Sequence, residues 1–590
     1  MASGLITMNR MKLLEVIQSY LRDKRYIIIL DDVWDKDAWL FLNYAFLFCK
    51  KAFHASKDNK CPENLISWAN KIVTKCQGLP LAIVTIGSIL SYRELEEKVW
   101  KIFYNQLSWH IENNPELNWI SSVLNLSLNN LPSYLRSCFL YCSLYPEDYK
   151  IKRKLISKLW IAEGLVEERD GTTMEEVAEC YLMELTQCSL LQVTERNACG
   201  RARTFVIHDL VREVTLIIAK REKFGIAYGN AGTTQVVDEA RRLSIQRCAK
   251  SLNSLASSRL RSFILFDTDI PSSWIYDISS SFRLLRVLCL RFASIEQVPC
   301  VVTELYNLRY LDFSHTKVKK VPASFSKLVN LQVLDLRFSY VEELPLEISM
   351  LTNLWHLHVF VVHDVQQRSL NCFGSTKFLG NICHLKNLQA LYTVSANKYL
   401  VSQLGNLTLM RDSKLKMLRP LPNLKLLWLS GKLDGGVVPS LFSKFVKLMQ
   451  LKMDWSGLKE DPISSLSHML SLVNLCLTGA YDGEQLTFCA GWFPKLRSLQ
   501  LVDMEHLNLI EIEDGTLMSL HSLELTGLRN LKAVPEGIKY IRTLDQMFLT
   551  DMSNEFIERL LGSDHHIVQH IPDIRNFGSS DSQEGNILSM

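Results

Sequence analysis

Four hexads in the middle of the chain decide its architecture: Leu285-Arg286-Val287-Leu288-Cys289-Leu290, Leu308-Arg309-Tyr310-Leu311-Asp312-Phe313, Leu331-Gln332-Val333-Leu334-Asp335-Leu336 and Leu354-Trp355-His356-Leu357-His358-Val359. Each begins 23 residues after the one before. Alternating apolar positions turn one face of a short strand inward. A single unit cannot bury that face alone, whereas stacked neighbours bury it continuously. Pro299, Pro322 and Pro345 recur in the same phase, and small residues, Ala293, Thr316 and Ser339, stand eight positions after each opening leucine. A second series opens at Leu424, Leu448, Leu472, Leu496, Leu520 and Leu544, now 24 residues apart, with weaker units at Leu260 and Leu388. The phase breaks between Leu388 and Leu424, which predicts an irregular region there. The repeats predict an α/β solenoid over residues 240–572. The intervening side chains of Tyr310, Asp312, Val333, Asp335 and Arg337 are expected to point out from the parallel sheet, line its concave surface and contact a protein partner.

Composition sets the outer limits. The 590 residues exceed one hydrophobic core and predict several domains. A net charge of +4 implies no field-driven partner such as a DNA duplex, and 47% apolar residues are too many for a disordered chain. Met1–Tyr20 interleaves Arg10, Lys12 and Glu15 with its hydrophobes, unlike a secretory leader. The run Leu79–Leu90 is too short for a membrane span. The 15 cysteines lack regular short spacing, which points to reduced thiols in a cytoplasmic protein. Cys138 and Cys142 have no second pair at zinc-finger spacing, and His565, His566 and His570 lack a third convergent ligand. Both groups are read as structural or solvated.

Upstream of the repeats, Tyr26–Leu30 is an unbroken β-branched and apolar run, as for a strand buried on both faces. Asp31 and Asp32 end it, where doubly wound sheets bind ligands. Such a pair suits a magnesium ion and an attacking water, and it equally suits an ordinary strand end. Gly78-Leu79-Pro80-Leu81 separates an amphipathic stretch (Leu65, Trp68, Ala69, Ile72, Val73) from the apolar Ala82–Leu90, with Pro80 placed for a first helical turn. Residues 138–149 read CFLYCSLYPEDY. Thr173 and Glu176 form a capping box opening a helix with Met174, Val177, Ala178, Tyr181, Leu182 and Leu185 on one face. A hairpin is predicted from Leu190–Thr194 and Thr204–Ile207 around Asn197–Gly200, followed by Ile207-His208-Asp209. Helix, helix, hairpin is winged-helix order. Winged helices can enter the DNA major groove, and Lys150, Lys152, Arg153, Lys154 and Lys158 form a basic cluster. The competing reading is a solvated face balanced by Glu163, Glu167 and Glu168.

The LDDVW strand, GLPL, CFLYCSLYPEDY and the I-H-D triplet, in this order and followed by leucine-rich repeats, resemble the plant NB-ARC leucine-rich-repeat disease-resistance proteins. Trp34 is similar to the coiled-coil subclass, and the likeness extends over about residues 10–575. The resemblance implies an intracellular switch: ADP holds the receptor closed, and exchange for ATP, after the repeats sense a pathogen effector or a host protein, opens it into an oligomer that triggers defence. It also implies roles. Asp31 and Asp32 match the carboxylates for magnesium and catalysis, with Asp31 as the metal ligand. Pro80, within Gly78-Leu79-Pro80-Leu81, would lie against the base and sugar. His208 would contact the ADP β-phosphate, with Asp209 beside it.

This sequence departs from that pattern. Before Gly78 it has one glycine, Gly4, so the phosphate-cradling G-x-x-x-x-G-K-S/T loop is absent. Only about 25 residues precede the LDDVW strand, too few for the family's coiled coil. After Trp34, where the family carries a further strand ending in an arginine, Asp35-Lys36-Asp37-Ala38-Trp39 runs directly into Leu40-Phe41 and Lys51-Ala52-Phe53, which resemble the stretch beyond that strand. The expected architecture is therefore a remnant of a P-loop-type α/β domain (1–60), a helical domain with GLPL (61–130), a winged helix ending in the I-H-D triplet (131–235), the α/β leucine-rich-repeat solenoid (240–572) and a disordered tail (573–590). ADP/ATP binding with magnesium is expected to be impaired and hydrolysis absent. Two alternatives stand: an intact ADP-binding switch whose gene model lacks 5′ exons, and a winged-helix DNA-binding protein.

Overall fold

The computed structural model describes residues 48–53, 61–75, 80–113, 128–196, 200–228, 240–246, 259–266, 282–362, 373–396, 421–439, 442, 444–577 and 585–586. It divides into two compact units, 1–130 and 131–590.

The first unit is helical where described. Helix α1 (Ile66–Lys75), α2 (Pro80–Ser91) and α3 (Glu97–Asn113) enclose a core of Phe48, Phe53, Leu65, Ile72, Ile83, Ile86, Leu90 and Trp100. Helix α2 starts at Pro80, whose missing N–H costs nothing in a first turn. Phe53 stacks on Trp100 at 5.5 Å between ring centroids. The amphipathic stretch packs as expected, with Ala69 and Ile72 buried and Trp68 and Val73 flanking the core.

The second unit opens with the winged helix: α4 (Ser133–Cys142), β1 (Ile151–Lys152), α5 (Arg153–Glu163), α6 (Met174–Gln187), β2 (Gln192–Arg196), β3 (Ala202–Val206) and α7 (Asp209–Arg221). The capping box is complete: the Glu176 N–H donates to Thr173 Oγ1 at 3.3 Å, and the Thr173 N–H donates to Glu176 Oε2 at 2.8 Å. Val177, Ala178, Tyr181, Leu182 and Leu185 are buried on its helix. The first hairpin strand lies two residues further along than the sequence suggested, and the second starts two residues earlier and ends one earlier. The short β1 adds a third strand, pairing antiparallel with β3 at Ile151–Phe205.

The repeats form an open parallel sheet. Strands from Ile226–Tyr228 to Asp573–Phe577 pair each with the next, and no pairing among the described residues joins the last to the first. Register follows the leucines: Leu288 faces Leu311, then Leu334, then Leu357. In the second series Leu427 faces Leu451, Leu475, Leu499, Leu523 and Met547 in turn. These side chains are fully or almost fully buried, each stabilising the fold by about 2 kcal/mol. The phase break proves to be one enlarged repeat, because Leu391 pairs directly with Leu427.

Other periodic residues serve the bends. Pro299, Pro322 and Pro345 each precede a short 3₁₀ helix on the side away from the sheet. Thr316 and Ser339 donate to the carbonyls of Phe313 and Leu336, both at 2.7 Å. The asparagines before Leu308, Leu331 and Leu354 each donate to a backbone carbonyl one repeat earlier: Asn307 to Arg283, Asn330 to Tyr306 and Asn353 to Val329, at 2.8–2.9 Å. Two expected boundaries move. Ile226–Tyr228, assigned above to the winged-helix segment, begins the sheet, and Asp573–Phe577, assigned to the tail, extends it. Both continue the ladder in register, so their backbone groups find partners there.

Candidate functional site

The residues proposed for nucleotide fall in several places. Asp31, Asp32, Gly78 and Leu79 lie outside the described residues. Pro80 and Leu81 open α2 in the first unit. In the second unit, His208 occupies the N-cap position of α7 and Asp209 is that helix's first residue. His208 is exposed and its imidazole makes no capping bond. A helix N-terminus suits an anion, and an imidazole placed there can donate to one. Among the described residues, no group of three His, Cys, Asp or Glu side chains could hold a metal.

The motifs around His208 also have structural work. Arg212, one turn into α7, is buried. It donates to the Tyr145 carbonyl at 2.6 Å, to Glu147 Oε1 at 3.2 Å and to Gln246 Oε1 at 3.2 Å. The Tyr-Pro-Glu of the CFLYCSLYPEDY segment is thereby tied to both the I-H-D helix and the first repeats. Cys138 and Cys142 are buried, and burial pushes both thiols above their ordinary pKa. They belong to the core.

The predicted concave residues receive a correction. Tyr310, Asp312, Val333 and Asp335 lie on the expected strands, yet they are only 1–3% exposed. Helix α5 packs on the strands Val287–Cys289 and Tyr310–Asp312 and covers this end of the sheet. Lys158 of α5 lies 2.7 Å from His358 Nε2, and Glu175 of α6 lies 3.7 Å from His356 Nε2. Desolvation lowers the Lys158 pKa to about 7 and holds both histidines below their usual range. Arg337 alone of the five stays partly open, its guanidinium paired with Asp335.

The reading of a solvated charged face holds for Lys152, Lys154, Glu167 and Glu168, which are exposed, and is corrected at Glu163 and Lys158. Glu163 is buried and pairs with Arg242 of the first repeats at 2.6 Å. Ser262 donates to the same carboxylate, and Arg286 donates to the Glu163 carbonyl at 2.7 Å. Lys150 pairs with Glu195 and Arg153 with Glu179. Lys152 and Lys154 remain at the surface. Most of the basic cluster is thus engaged within the unit, which removes much of the charge a DNA backbone would need.

Further along the solenoid the covering ends. The strands Arg242–Ile245, Ser262–Leu265, Val287–Cys289 and Tyr310–Asp312 are buried on both faces. Leu426–Ser430, Asn474–Thr478, Ser498–Val502, Ser522–Thr526 and Gln546–Thr550 instead alternate buried with half-exposed residues. The half-exposed central positions are Trp428, Lys452, Cys476, Gln500, Glu524 and Phe548. The leucine series already marked these positions, four after each opening leucine. It could not show that only the second series is open.

The comparisons agree with this layout. The NB-ARC domain model matches residues 3–51, the disease resistance protein winged helix domain residues 144–215, and the leucine-rich repeat region residues 259–419. The disease resistance protein RPM1 of Arabidopsis thaliana is 35% identical over 97% of this chain and 70% of its own length. The disease susceptibility protein LOV1 of the same plant is 30% identical over 94% of this chain and 70% of its own. The disease resistance RPP8-like protein 3 is 25% identical over 95% of this chain. Among the described residues no helix is long and apolar enough to cross a membrane. With a winged helix, a repeat sheet in register and relatives matched along nearly its whole length, this chain belongs to the plant NB-ARC leucine-rich-repeat disease-resistance family.

Proposed function

We propose that this chain acts in plant defence as an intracellular receptor-type protein whose repeats bind a pathogen effector or a host protein. The observation that carries this reading is the open concave face of the second repeat series, from Trp428 to Phe548, in contrast to the covered face before it. Contact residues are therefore assigned to Trp428, Lys452, Gln500, Glu524 and Phe548, with Arg337 at the border. Cross-linking mass spectrometry of the full chain with candidate effectors and host proteins tests this. Cross-links concentrated on residues 426–550 are expected, and cross-links confined to residues 131–228 would overturn it.

The nucleotide switch is weakened in this reading. The sequence keeps Asp31, Asp32, the GLPL turn and His208, but no G-x-x-x-x-G-K-S/T loop occurs in its 590 residues. Without backbone donors and the loop lysine, the β-phosphate keeps only the His208 end of its site. ADP and magnesium then bind weakly and hydrolysis is not supported. Calorimetry with ADP checks this point: submicromolar affinity of this chain would contradict it.

A further inference from the structure

In most of the repeats, though not those opened by Leu354 and Leu388, the position seven residues after the opening leucine adopts a left-handed backbone. In later repeats this position holds Gly479 (φ 51°), Asp503 (50°), Gly527 (65°) and Asp551 (50°), residue types that accept the conformation. In the earlier repeats it holds Phe292 (64°), His315 (57°) and Phe338 (57°), and in the second series also Trp455 (53°). The backbone requires the conformation in both cases. The Phe292 N–H donates to the Ser314 carbonyl and the Trp455 N–H to the Thr478 carbonyl, just as the Gly527 N–H donates to Thr550. Bulky aromatic residues at positive φ are outliers that persist where something other than local stability selects them.

Phe292, His315 and Phe338 begin a continuous ladder at the ends of the concave strands that ends at Trp428, and Trp455 stands one repeat beyond it. Phe292 stacks on His315 at 4.5 Å, His315 on Phe338 at 4.4 Å, Phe338 meets Phe360 at 5.0 Å, and Phe360 meets Trp428 at 5.6 Å. Unlike the buried Tyr310 beside them, Phe292, Phe338 and Trp455 are 45%, 36% and 39% exposed. Cations accompany the ladder along its length. Arg291 lies over Phe292 at 4.9 Å, and Lys452 lies over Trp428 at 4.2 Å. Arg337 precedes Phe338 and keeps 40% of its side-chain surface open. The carboxylates nearest them, Asp335 and Asp454, are turned inward, with 3% and 12% of their side-chain surface open. The outer face therefore presents aromatic rings with cationic side chains beside them, Arg337 and Lys452 each paired with a carboxylate beneath.

We propose that this ladder is the docking rail for an extended acidic segment of a partner protein, one that alternates carboxylates with aromatic or leucine side chains. The carboxylates meet Arg291, Arg337 and Lys452, and the apolar side chains lie on Phe292, Phe338 and Trp455. This rests on the reading that the repeats bind a protein and adds the chemistry of that partner. Exposed aromatics flanked by arginine are the residue types that dominate interface energetics.

The test uses the full chain and a fluorescent peptide alternating Glu with Trp or Leu. Controls are the same peptide with Lys for Glu and a single-stranded thymidine oligonucleotide. The acidic peptide is expected to bind, more weakly as salt rises, with no binding of the Lys peptide. Phe338→Ala and Trp455→Ala should each weaken it about tenfold or more. Phe338→Asn, which tolerates the left-handed backbone, should weaken it equally without perturbing the fold. Asp503→Asn, at the same repeat position beyond the ladder, should leave it unchanged. Equal binding of both peptides, tighter binding of the oligonucleotide, or no binding of the acidic peptide would each overturn the rail. Acidic-peptide binding that survives Phe338→Asn and Trp455→Ala would overturn the rail while leaving the repeats as a protein-binding surface.

Discussion

The Glu163 carboxylate and the Arg242 guanidinium lie 2.6 Å apart with almost no contact with solvent, and they join the last turn of a winged-helix helix to the first repeats. Removing one partner leaves the other as an uncompensated buried charge. Glu163→Ala is therefore expected to destabilise the second unit by about 3–5 kcal/mol, measured as a lowered urea midpoint. Replacing both residues by apolar ones of similar size should cost clearly less than the two single changes together. Additive losses would show that the two side chains act independently.

Arg212 predicts a milder loss. Arg212→Ala leaves the Tyr145 carbonyl without this donor and frees Glu147 and Gln246. A cost of about 1.5–3 kcal/mol is expected, the range for hydrogen bonds from a charged group. Hydrogen exchange should quicken at residues 144–147. Unchanged exchange there would deny Arg212 its positioning role.

The contact between α5 and the repeats is predicted to loosen in acid. His315, His356 and His358 have pKa values held below the ordinary histidine range, first by desolvation, so the unfolded chain binds more protons than the folded one below about pH 6.5. Their contribution is complete above that pH and is lost as pH falls toward 4. Lys158 acts in another window: its folded pKa of about 7 makes its cost full below pH 7 and relieved as pH rises toward 10.5. Asp312, raised to about 6 by burial, opposes the histidines, since acid neutralises it. With three histidines against one aspartate, limited proteolysis of the winged helix should speed up from pH 6.5 to 4.5. His358→Gln should flatten that dependence, and a profile identical to the parent would contradict the assignment.

Gly479 predicts a steric effect. A Cβ there would sit 2.3 Å from the ring of Trp455, on a backbone already at φ +51°. Gly479→Ala should cost about 1–3 kcal/mol and shift the tryptophan emission as Trp455 tips away. A stable variant with unchanged emission would show that the ring is not seated over Gly479.

Much of this fold is legible in the leucines. Spacings of 23 and 24 put Leu288 opposite Leu311 and Leu451 opposite Leu475, because strand pairing in a stacked solenoid repeats the sequence period. Thr173 and Glu176 mark a helix start through a local bond that needs no distant partner. The meaning of Asn307, Asn330 and Asn353, by contrast, depends on a carbonyl one repeat away.

What tertiary structure alone decided is what covers the other face of each strand. Alternation reports that one side of Tyr310–Asp312 is apolar, but it carries no information about a helix more than a hundred residues upstream lying on the opposite side. Hence Tyr310, Asp312, Val333 and Asp335 read as open contact residues and are buried, and Glu163 reads as a solvated charge and is an internal ion pair. The same reason hid the exposed rings: Phe292, His315, Phe338 and Trp455 each stand seven residues after a leucine, but only the folded backbone shows that these positions are left-handed and half open to solvent. By itself, then, the sequence determined the repeat, its register and the order of domains, since these rest on local bonds and one-face burial. Which surfaces remain free to bind was settled by packing between segments far apart in the chain.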